Sequence, residues 1–282
     1  MSGSVTDRSV VRSLLAEAGV RPSKRLGQNF LVDAAVLADV ESIVGARSSG
    51  TIVEIGPGFG AVTEVLLRLG RKVVAIEVDR RLADLLERRL GNRDRLTVVR
   101  QDVLRVDLGE RPEVAPFYVV GSLPYRITAP ILKWLVGQRD ALSGALIITQ
   151  REVAEKIVAS PGKDGSSLGI LVRAYAEVDV VRHVARGSFF PAPDVDSTVW
   201  GLTFLDRPRF ACDPESFFAV VRALYGTRRK MIRGALRSLV PTDAIESVLE
   251  AAGVDGTARG EELDFEQLGR LADAASGRTA FS

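Results

Sequence analysis

Short apolar runs alternate with amphipathic segments over the central part of the chain. The apolar runs predict buried strands at residues 51–56, 72–78, 96–101, 117–121 and 144–149. Segments whose apolar positions recur every three or four residues predict helices at residues 61–69, 80–90, 128–137 and 151–159. Such alternation predicts an α/β fold with a doubly wound, mostly parallel sheet that binds its ligand at the carboxyl ends of the strands.

The pattern differs on either side of this alternating region. It predicts further helices over residues 9–19 and 33–44 and from Leu168, and strands near 178–184 and 197–204. Ser9 is the candidate cap of the first of these helices, and we expect a late strand of the sheet to be antiparallel. Residues 206–208 break the pattern, which is helical beyond them to about residue 275. We therefore predict two domains, at residues 1–206 and 207–282, of which the second is small and helical.

Composition restricts the classes of function. Of the 282 residues, 46% are hydrophobic, which suffices for a large core, and no apolar run approaches the roughly 18 residues that cross a membrane. The first residues lack the apolar stretch of a secretion signal. The only cysteine is Cys212 and the only histidine is His183, which excludes an internal disulfide and a cysteine-rich zinc site. We therefore predict a cytoplasmic protein that carries no metal and does not enter a membrane.

Charge gives a weaker indication of the partner. The net charge of +2 does not by itself indicate nucleic acid. Most of the 38 basic residues are arginine, whose guanidinium binds phosphate through two hydrogen bonds. Near the carboxyl end a basic helix face over an apolar one is predicted by Arg228, Arg229, Lys230, Arg233 and Arg237. Contact with phosphates and an ordinary solvated helix both stay open as interpretations of this face.

A glycine-rich turn follows the first central strand. The segment Glu54-Ile55-Gly56-Pro57-Gly58-Phe59-Gly60 lies between an apolar run and a helical pattern, and its glycines let a ligand approach the backbone. Glu77 follows the next strand, about twenty residues beyond Gly56, which is the spacing at which an acidic side chain binds ribose hydroxyls. These features predict a site for a nucleoside-containing ligand. A turn that serves packing alone is the alternative.

Later turns also carry polar or aromatic residues. Asp102 follows the third strand, where a carboxylate can accept a hydrogen bond from the amine of a base such as adenine. The fourth strand ends at Ser122-Leu123-Pro124-Tyr125, in which the proline fixes the backbone and orients carbonyl groups beside an aromatic ring. Phe189 and Phe190 lie in a proline-rich loop and are suited to stack on a planar base. For the turn after the fourth strand, one that only ends the strand is the alternative.

Together these motifs resemble one family, the S-adenosylmethionine-dependent ribosomal RNA adenine dimethyltransferases that act on small-subunit RNA. The motifs occur in the family's order from about residue 9 to 272. They are Lys24-Arg25-Leu26-Gly27-Gln28-Asn29-Phe30-Leu31, the glycine turn, Ile76-Glu77-Val78-Asp79, Gln101-Asp102, Leu123-Pro124-Tyr125, Gln150-Arg151-Glu152-Val153-Ala154, residues 189–197, Arg228-Arg229-Lys230 and Arg259-Gly260-Glu261-Glu262-Leu263.

The resemblance implies a Rossmann-like methyltransferase domain at residues 1–206 and an RNA-binding domain at residues 207–282. It implies that S-adenosylmethionine is bound by Asn29, Leu31, Gly56, Glu77, Asp102 and Ser122. It implies a catalytic centre formed by Ser122, Leu123, Pro124, Tyr125 and Phe189, with the target adenine between the last two rings. RNA is expected to contact Lys24, Arg25, Arg228, Arg229, Lys230, Arg233 and Arg237.

The implied reaction is methylation of two adjacent adenines at N6 near the 3′ end of small-subunit (16S) ribosomal RNA, within a nearly assembled 30S subunit, by a monomeric enzyme. Two positions depart from the family, because Ser122 stands where an asparagine is usual and Arg126 stands where many members have another asparagine. A serine oxygen also accepts a hydrogen bond, but its side chain is shorter and its hydroxyl rotates. The alternatives are a non-catalytic or weakly catalytic ribosome-assembly factor on the same fold, a large-subunit RNA methyltransferase and a nicotinamide-dependent oxidoreductase.

Overall fold

A computed structural model describes residues 5–23, 27–91, 94–110, 115–227 and 229–276, with the backbone alone at Tyr125. Its strands are β1 (Phe30–Leu31), β2 (Ile52–Ile55), β3 (Val73–Ile76), β4 (Leu96–Val99), β5 (Phe117–Ser122), β6 (Leu142–Gln150), β7 (Ala176–Val184), β8 (Phe189–Phe190) and β9 (Ser197–Phe204). Its helices are α1 (Arg8–Glu17), α2 (Ala34–Arg47), α3 (Ala61–Arg68), α4 (Arg80–Leu90), α5 (Thr128–Gly137), α6 (Arg151–Val158), α7 (Ser167–Tyr175), α8 (Pro214–Gly226), α9 (Ile232–Leu236), α10 (Ile245–Ala252) and α11 (Phe265–Ser276).

One sheet of seven strands has the order β4-β3-β2-β5-β6-β9-β7. The neighbours from β4 to β6 are parallel, and β9 runs antiparallel to β6. The chain builds outward from β2 to β4 on one side and then continues on the other side with β5. This reversal places a crevice at the carboxyl ends of β2 and β5, where α/β sheets bind their ligands. The predicted fold class, including its late antiparallel strand, is confirmed.

Local sequence explains most of these elements. All four residues of β2 are buried, as expected in the middle of a sheet; three of them are apolar, and the fourth is Glu54. In α4, the four leucines at 82, 85, 86 and 90 are buried on one face, and Asp79 caps the helix by accepting a hydrogen bond from the Arg81 amide. The predicted cap of α1 is wrong. Asp7 precedes that helix and accepts the Ser9 amide at 2.7 Å, because a carboxylate is the stronger acceptor.

The chain forms two compact units. The first comprises Met1–Ala154 and Val178–Phe204, and the second comprises Glu155–Glu177 and Leu205–Ser282. This division differs from the sequence prediction, which assigned all residues before 207 to the first domain. The second unit has its own aromatic core, in which the Phe210 and Phe217 rings stack with centroids 4.0 Å apart. Tyr175 meets Phe210 edge-on, so the end of α7 belongs to that core by packing rather than by sequence order.

The predicted basic helix face near the carboxyl end is wrong in its geometry. Helix α9 is only five residues long, so Arg229 precedes it and Arg237 caps its end. The helix starts late because the Lys230 amide closes a turn on the Thr227 carbonyl and the next residue, Met231, pairs with Arg259.

Two features are absent from the described ranges. None of the helices there is both long and apolar enough to cross a membrane. Across the same ranges, the His, Cys, Asp and Glu side chains form no group of three or more that is placed to hold a metal ion.

Candidate active site

The glycine turn connects β2 to α3 and shapes the crevice. Gly56, Gly58 and Gly60 all have positive φ, at 68°, 58° and 94°, which explains glycine at these positions. A Cβ atom on Gly58 would lie 2.8 Å from the ring of Phe30, whereas one on Gly56 would meet no atom within 4 Å. Gly58 therefore allows tight packing, and Gly56 presents its backbone to open space.

That open space is a cavity of about 1090 Å³, including the part open to solvent. It lies at the carboxyl ends of β2, β3 and β5 and against the segment that leads into β1. The cavity wall includes every residue predicted to bind the cofactor, namely Asn29, Leu31, Gly56, Glu77, Asp102 and Ser122. The structure thus brings together residues that are up to 93 positions apart in the sequence.

Glu77 is buried at the end of β3 and is held by the main chain. One carboxylate oxygen accepts the Gly58 amide at 3.1 Å, and the other accepts the Asp79 amide at 2.9 Å. Burial raises the pKa of Glu77 above its ordinary value, and the two amides oppose this rise. The carboxylate is therefore fixed in orientation at the cavity wall, with lone pairs left for a ligand.

Glu54 is a second buried carboxyl group in the wall. It is 2% exposed, and its Oε2 accepts a hydrogen bond from the Thr63 hydroxyl at 2.6 Å. Burial, with a smaller contribution from the nearby Glu77, raises the pKa of Glu54 to about 8. The sequence shows an acid at the start of the glycine turn, but no local pattern indicates that burial favours its protonated form.

We expect Glu54→Gln to make stability less dependent on pH. The ordinary pKa of 4.5 applies to the unfolded chain and a pKa of about 8 to the folded one. Between these pH values the folded protein holds a proton that the unfolded chain has lost. The free energy of unfolding therefore falls as pH rises through this window, by at most about 1.4 kcal/mol per pH unit. Glutamine mimics the protonated acid and removes that slope.

The measurement is the free energy of unfolding in urea at several values from pH 5 to 8. Glu87→Gln is the matched control, because Glu87 lies on α4 in an ion pair with Arg100 and outside the cavity. Equal slopes in the parent and the Glu54 variant would show that Glu54 is ionised in the folded protein.

A two-stranded sheet links the amino-terminal segment to the Phe189 turn. Strands β1 and β8 are antiparallel, with Phe30 opposite Phe190 and Leu31 opposite Phe189. The link continues into α2, because the Ser188 hydroxyl donates to the Asp33 carboxylate at 2.7 Å. This sheet places the segment that carries Asn29 against the turn that carries Phe189.

A smaller cavity of about 240 Å³ lies at this junction. Its wall is formed by Gly27, Asn29, Ser122, Leu123, Ile148, Phe189 and Ser197. Four of these residues, Gly27, Asn29, Ser122 and Ile148, also line the large cavity. The two cavities therefore adjoin, and the half-buried Ser122 stands between them.

The other predicted catalytic residues lie at or near the two cavities where the structure describes their side chains. Pro124 lines the large cavity, and its carbonyl accepts the Ile127 amide at 3.1 Å, which starts the turn into α5. Leu123 is 2% exposed, as is Phe189, whose ring belongs to the hydrophobic core as well as to the small cavity wall. The Tyr125 side chain lies outside the described residues, so its predicted place opposite Phe189 stays a prediction.

Four of the predicted RNA-contacting residues, Arg229, Lys230, Arg233 and Arg237, lie in the described part of the second unit. Lys24, Arg25 and Arg228 lie outside the described residues. Arg229, Lys230 and Arg237 are exposed. Arg233 forms a two-pronged ion pair with Glu246, with distances of 2.6 and 3.0 Å, so its guanidinium is already engaged.

Sequence reasoning missed two features of the site. The first is a pair of hydrogen bonds made by the Gln28 side chain. Its amide nitrogen donates to the Asp79 carboxylate at 3.1 Å, and its amide oxygen accepts from the Ser23 backbone amide at 2.8 Å. The second is an apolar rim at the large cavity, formed by Val78 and Ile127, which are 57% and 37% exposed. An exposed valine directly after Glu77 was the available signal, since large apolar side chains at the surface often mark a binding site.

Fold and cavity together define a Rossmann-like methyltransferase with a site for a nucleoside-containing cofactor. The chain belongs to the ribosomal RNA adenine dimethylase family, whose model matches residues 20–276. This membership confirms the family predicted from the motifs, and with it an enzyme of the ribosomal RNA methyltransferase class.

Curated relatives are similar over nearly their whole length. The chain is 40% identical over 275 residues to the ribosomal RNA small subunit methyltransferase A of Geobacillus thermodenitrificans, covering 93% of this chain and 94% of that protein. It is 38% identical over 269 residues to the protein of the same name from Clostridium acetobutylicum, covering 93% and 96%.

Solved structures show the same fold. The 23S rRNA methyltransferase ErmE is 29% identical, with a TM-score of 0.67 over 88% of this chain and 100% of that one. A dimethyladenosine transferase from Plasmodium falciparum is 23% identical, with a TM-score of 0.76 over 89% of this chain and 100% of that one. At this identity the similarity shows a shared fold only.

Proposed function

We propose that this protein transfers methyl groups from S-adenosylmethionine to the N6 amines of two adjacent adenines near the 3′ end of small-subunit ribosomal RNA. One observation carries the proposal. Two adjoining cavities share Asn29 and Ser122, and the larger has the residues that a nucleoside cofactor requires. A methyl group can pass between a cofactor in one cavity and a base in the other without leaving the protein.

The residues of the large cavity fit the cofactor. Glu77 has a fixed carboxylate for the ribose hydroxyls, as described above. Asp102 is half-buried, and one of its oxygens accepts the Leu104 amide at 3.0 Å, which orients the carboxylate for the adenine amine. The backbone at Gly56 is open to a ligand, because a Cβ atom there would meet nothing within 4 Å. When bound, S-adenosylmethionine supplies an electrophilic methyl group on a sulfonium.

The chain's own residues act by placement. The adenine amine is a poor nucleophile because its lone pair is delocalised into the ring. Acceptors at the Ser122 hydroxyl and the Leu123 carbonyl favour a tetrahedral nitrogen as the new bond forms. The nitrogen becomes acidic once it carries the methyl group, so its proton leaves to water and no strong base is needed. Holding the amine near the methyl group supplies most of the remaining rate enhancement.

The substrate must present an unstacked adenine. An N6 amine inside a duplex is out of reach, so the base has to turn out of its stack to enter the small cavity. We propose that this occurs on a nearly assembled 30S subunit in the cytoplasm, with the enzyme as a monomer. The curated relatives named for the small subunit support this choice over large-subunit RNA.

Transfer of labelled methyl groups tests the proposal. Undermethylated small subunits should accept label at adjacent adenines, and large subunits should not. Calorimetry should show binding of S-adenosylmethionine and none of NAD. Label on large subunits alone would favour the resistance-type activity. Binding to small subunits without transfer would favour an assembly factor, for which the substitution at Ser122 is the motivating observation.

The second unit is expected to contribute RNA contacts through Arg229 and Lys230. Both are exposed, and no carboxylate in the described part of the chain pairs with either. Arg229→Gln with Lys230→Gln should reduce the slope of log affinity for small subunits against log salt by about 1–2, because each lost phosphate contact removes roughly 0.7–0.9.

Arg233→Gln is the matched control, because this neighbouring arginine is engaged by Glu246. It should change the slope by less than either of the other residues. If the double variant and the control behave alike, the exposed pair belongs to a solvated surface.

A further inference from the structure

Exposed arginines lie beside the turn that carries Phe189. Arg8 and Arg12 are one turn apart on α1, so their side chains share a face. Arg8 donates a hydrogen bond to the Gly187 carbonyl, and the Arg12 guanidinium lies over the Phe190 ring, 5.3 Å from its centroid. Both side chains therefore reach the same short segment, residues 187–190.

This segment leads directly into the small cavity. Phe190 is the neighbour of Phe189, which lines that cavity together with Asn29 and Ser122. The β1–β8 pairing fixes the segment, because Phe30 and Leu31 lie opposite its two phenylalanines. A nucleotide whose base occupies the small cavity would have its sugar and phosphate outside, on the side where these arginines lie.

A third arginine extends the surface. Arg186 is exposed and precedes Gly187, the residue that Arg8 contacts. Its backbone amide donates to Asp196 at 2.9 Å, and none of the three guanidinium groups is ion-paired with a carboxylate in the described residues. The carboxylate of Asp7 is occupied with the amide and hydroxyl of Ser9.

Stacking on an aromatic ring leaves the N–H groups of an arginine free. A guanidinium contacts a ring with its face, whereas its five donors point outward in its own plane. Arg12 is thus held in position by Phe190 and keeps its donors for another acceptor. A phosphate matches that planar fork through two hydrogen bonds.

We propose that Arg8, Arg12 and Arg186 form an arginine platform that binds the phosphates of the RNA strand flanking the target adenine. This inference rests on the proposed function, since it places the strand relative to a base in the small cavity. Its role is to position the substrate on the first unit, independently of the basic residues of the second unit.

The test compares Arg8→Gln/Arg12→Gln with a double variant of equal charge, Arg88→Gln/Arg95→Gln. Arg88, in the last turn of α4, and Arg95, directly before β4, are exposed. They lie towards the amino end of β4, whereas the cavities lie at the carboxyl ends of the strands. Binding of undermethylated small subunits is measured from about 50 to 300 mM salt, with methyl transfer in parallel.

The platform variant should bind small subunits about 10-fold or more weakly at low salt, with its salt slope reduced by about 1–2. KM for subunits should rise by a similar factor, with a much smaller change in kcat. Arg12→Lys retains the charge but lacks the planar fork, so it should fall between the parent and the double variant. The variant with changes at 88 and 95 should match the parent.

If the platform variant and the control variant show the same slope of log affinity against log salt, the proposal is refuted. If the affinity for S-adenosylmethionine also falls by more than about twofold, packing of α1 is disturbed, and Arg186→Gln alone then decides. That single variant should reduce the slope by about 1, and an unchanged slope would refute the proposal. Absence of methyl transfer by the parent protein would instead refute the proposed function. The dependence of subunit binding on salt would still test the platform in that case.

Discussion

Replacing Glu77 with alanine is expected to weaken binding of S-adenosylmethionine by about 10–100-fold. The substitution removes a charged acceptor from two ribose hydroxyls, which corresponds to roughly 1.5–3 kcal/mol. It also leaves the Gly58 and Asp79 amides without their acceptor, so the glycine turn loses its support. We expect the larger end of the range for this reason, together with a lower melting temperature.

Calorimetric titration measures this loss of affinity. Two further variants show whether it is specific to the Glu77 carboxylate. Glu77→Gln keeps one acceptor but turns an amide donor towards a backbone N–H, so it should bind nearly as poorly as the alanine variant. Glu87→Ala removes an ion-paired carboxylate from α4 and should leave cofactor affinity unchanged. Cofactor affinity in Glu77→Ala equal to that of the parent would exclude Glu77 from the site.

Local patterns account for the parts of the fold that the sequence predicted well. The strand β2 was visible in the sequence because three of its four buried residues are apolar. Asp33 stands before α2 and caps it through the amides of Ala35 and Val36, so the start of that helix was visible in the sequence. The convergence of Gly56, Glu77 and Asp102 was also predictable, because carboxyl ends of neighbouring parallel strands meet at one edge of a sheet.

Features that depend on distant contacts were not predictable. Strands β1 and β8 have two residues each, which is too short for an alternating pattern, and they pair across about 160 positions. The short α9 follows from the contact between Met231 and Arg259, which no helical periodicity reveals. The packing of residues 155–177 with the second unit likewise depends on Tyr175 meeting Phe210 rather than on local sequence.

The buried state of Glu54 shows a further limit. An acid before the glycine turn is visible in the sequence, but the hydrogen bond with Thr63 and the burial that raises its pKa to about 8 follow from packing alone. The arginine platform has the same origin. Arg8 and Arg12 are four positions apart, as on any solvated helix face, and only the fold places the Phe190 ring beneath Arg12.

Ser122→Ala is expected to lower turnover by about 10–100-fold while the affinities for cofactor and RNA stay nearly fixed. The hydroxyl stands between the two cavities, where it can accept from the target amine as the nitrogen becomes tetrahedral. Losing one such hydrogen bond costs about 1.5–3 kcal/mol in the transition state. Since the Leu123 carbonyl remains, the loss should be partial. An effect on kcat without one on KM is the sign of an interaction made mainly in the transition state.

Ser122→Asn is the complementary variant, because it restores the residue usual in the family. Its longer side chain should raise turnover or the fraction of dimethylated adenine, as measured by mass spectrometry of digested RNA. Ser143→Ala is the control, since that serine lies near the start of β6, at the far edge of the sheet, and donates to the Phe117 carbonyl. Parental activity in Ser122→Ala would make the side chain a bystander. An inactive parent with an active Ser122→Asn variant would instead identify a ribosome-assembly factor whose catalytic acceptor was lost by substitution.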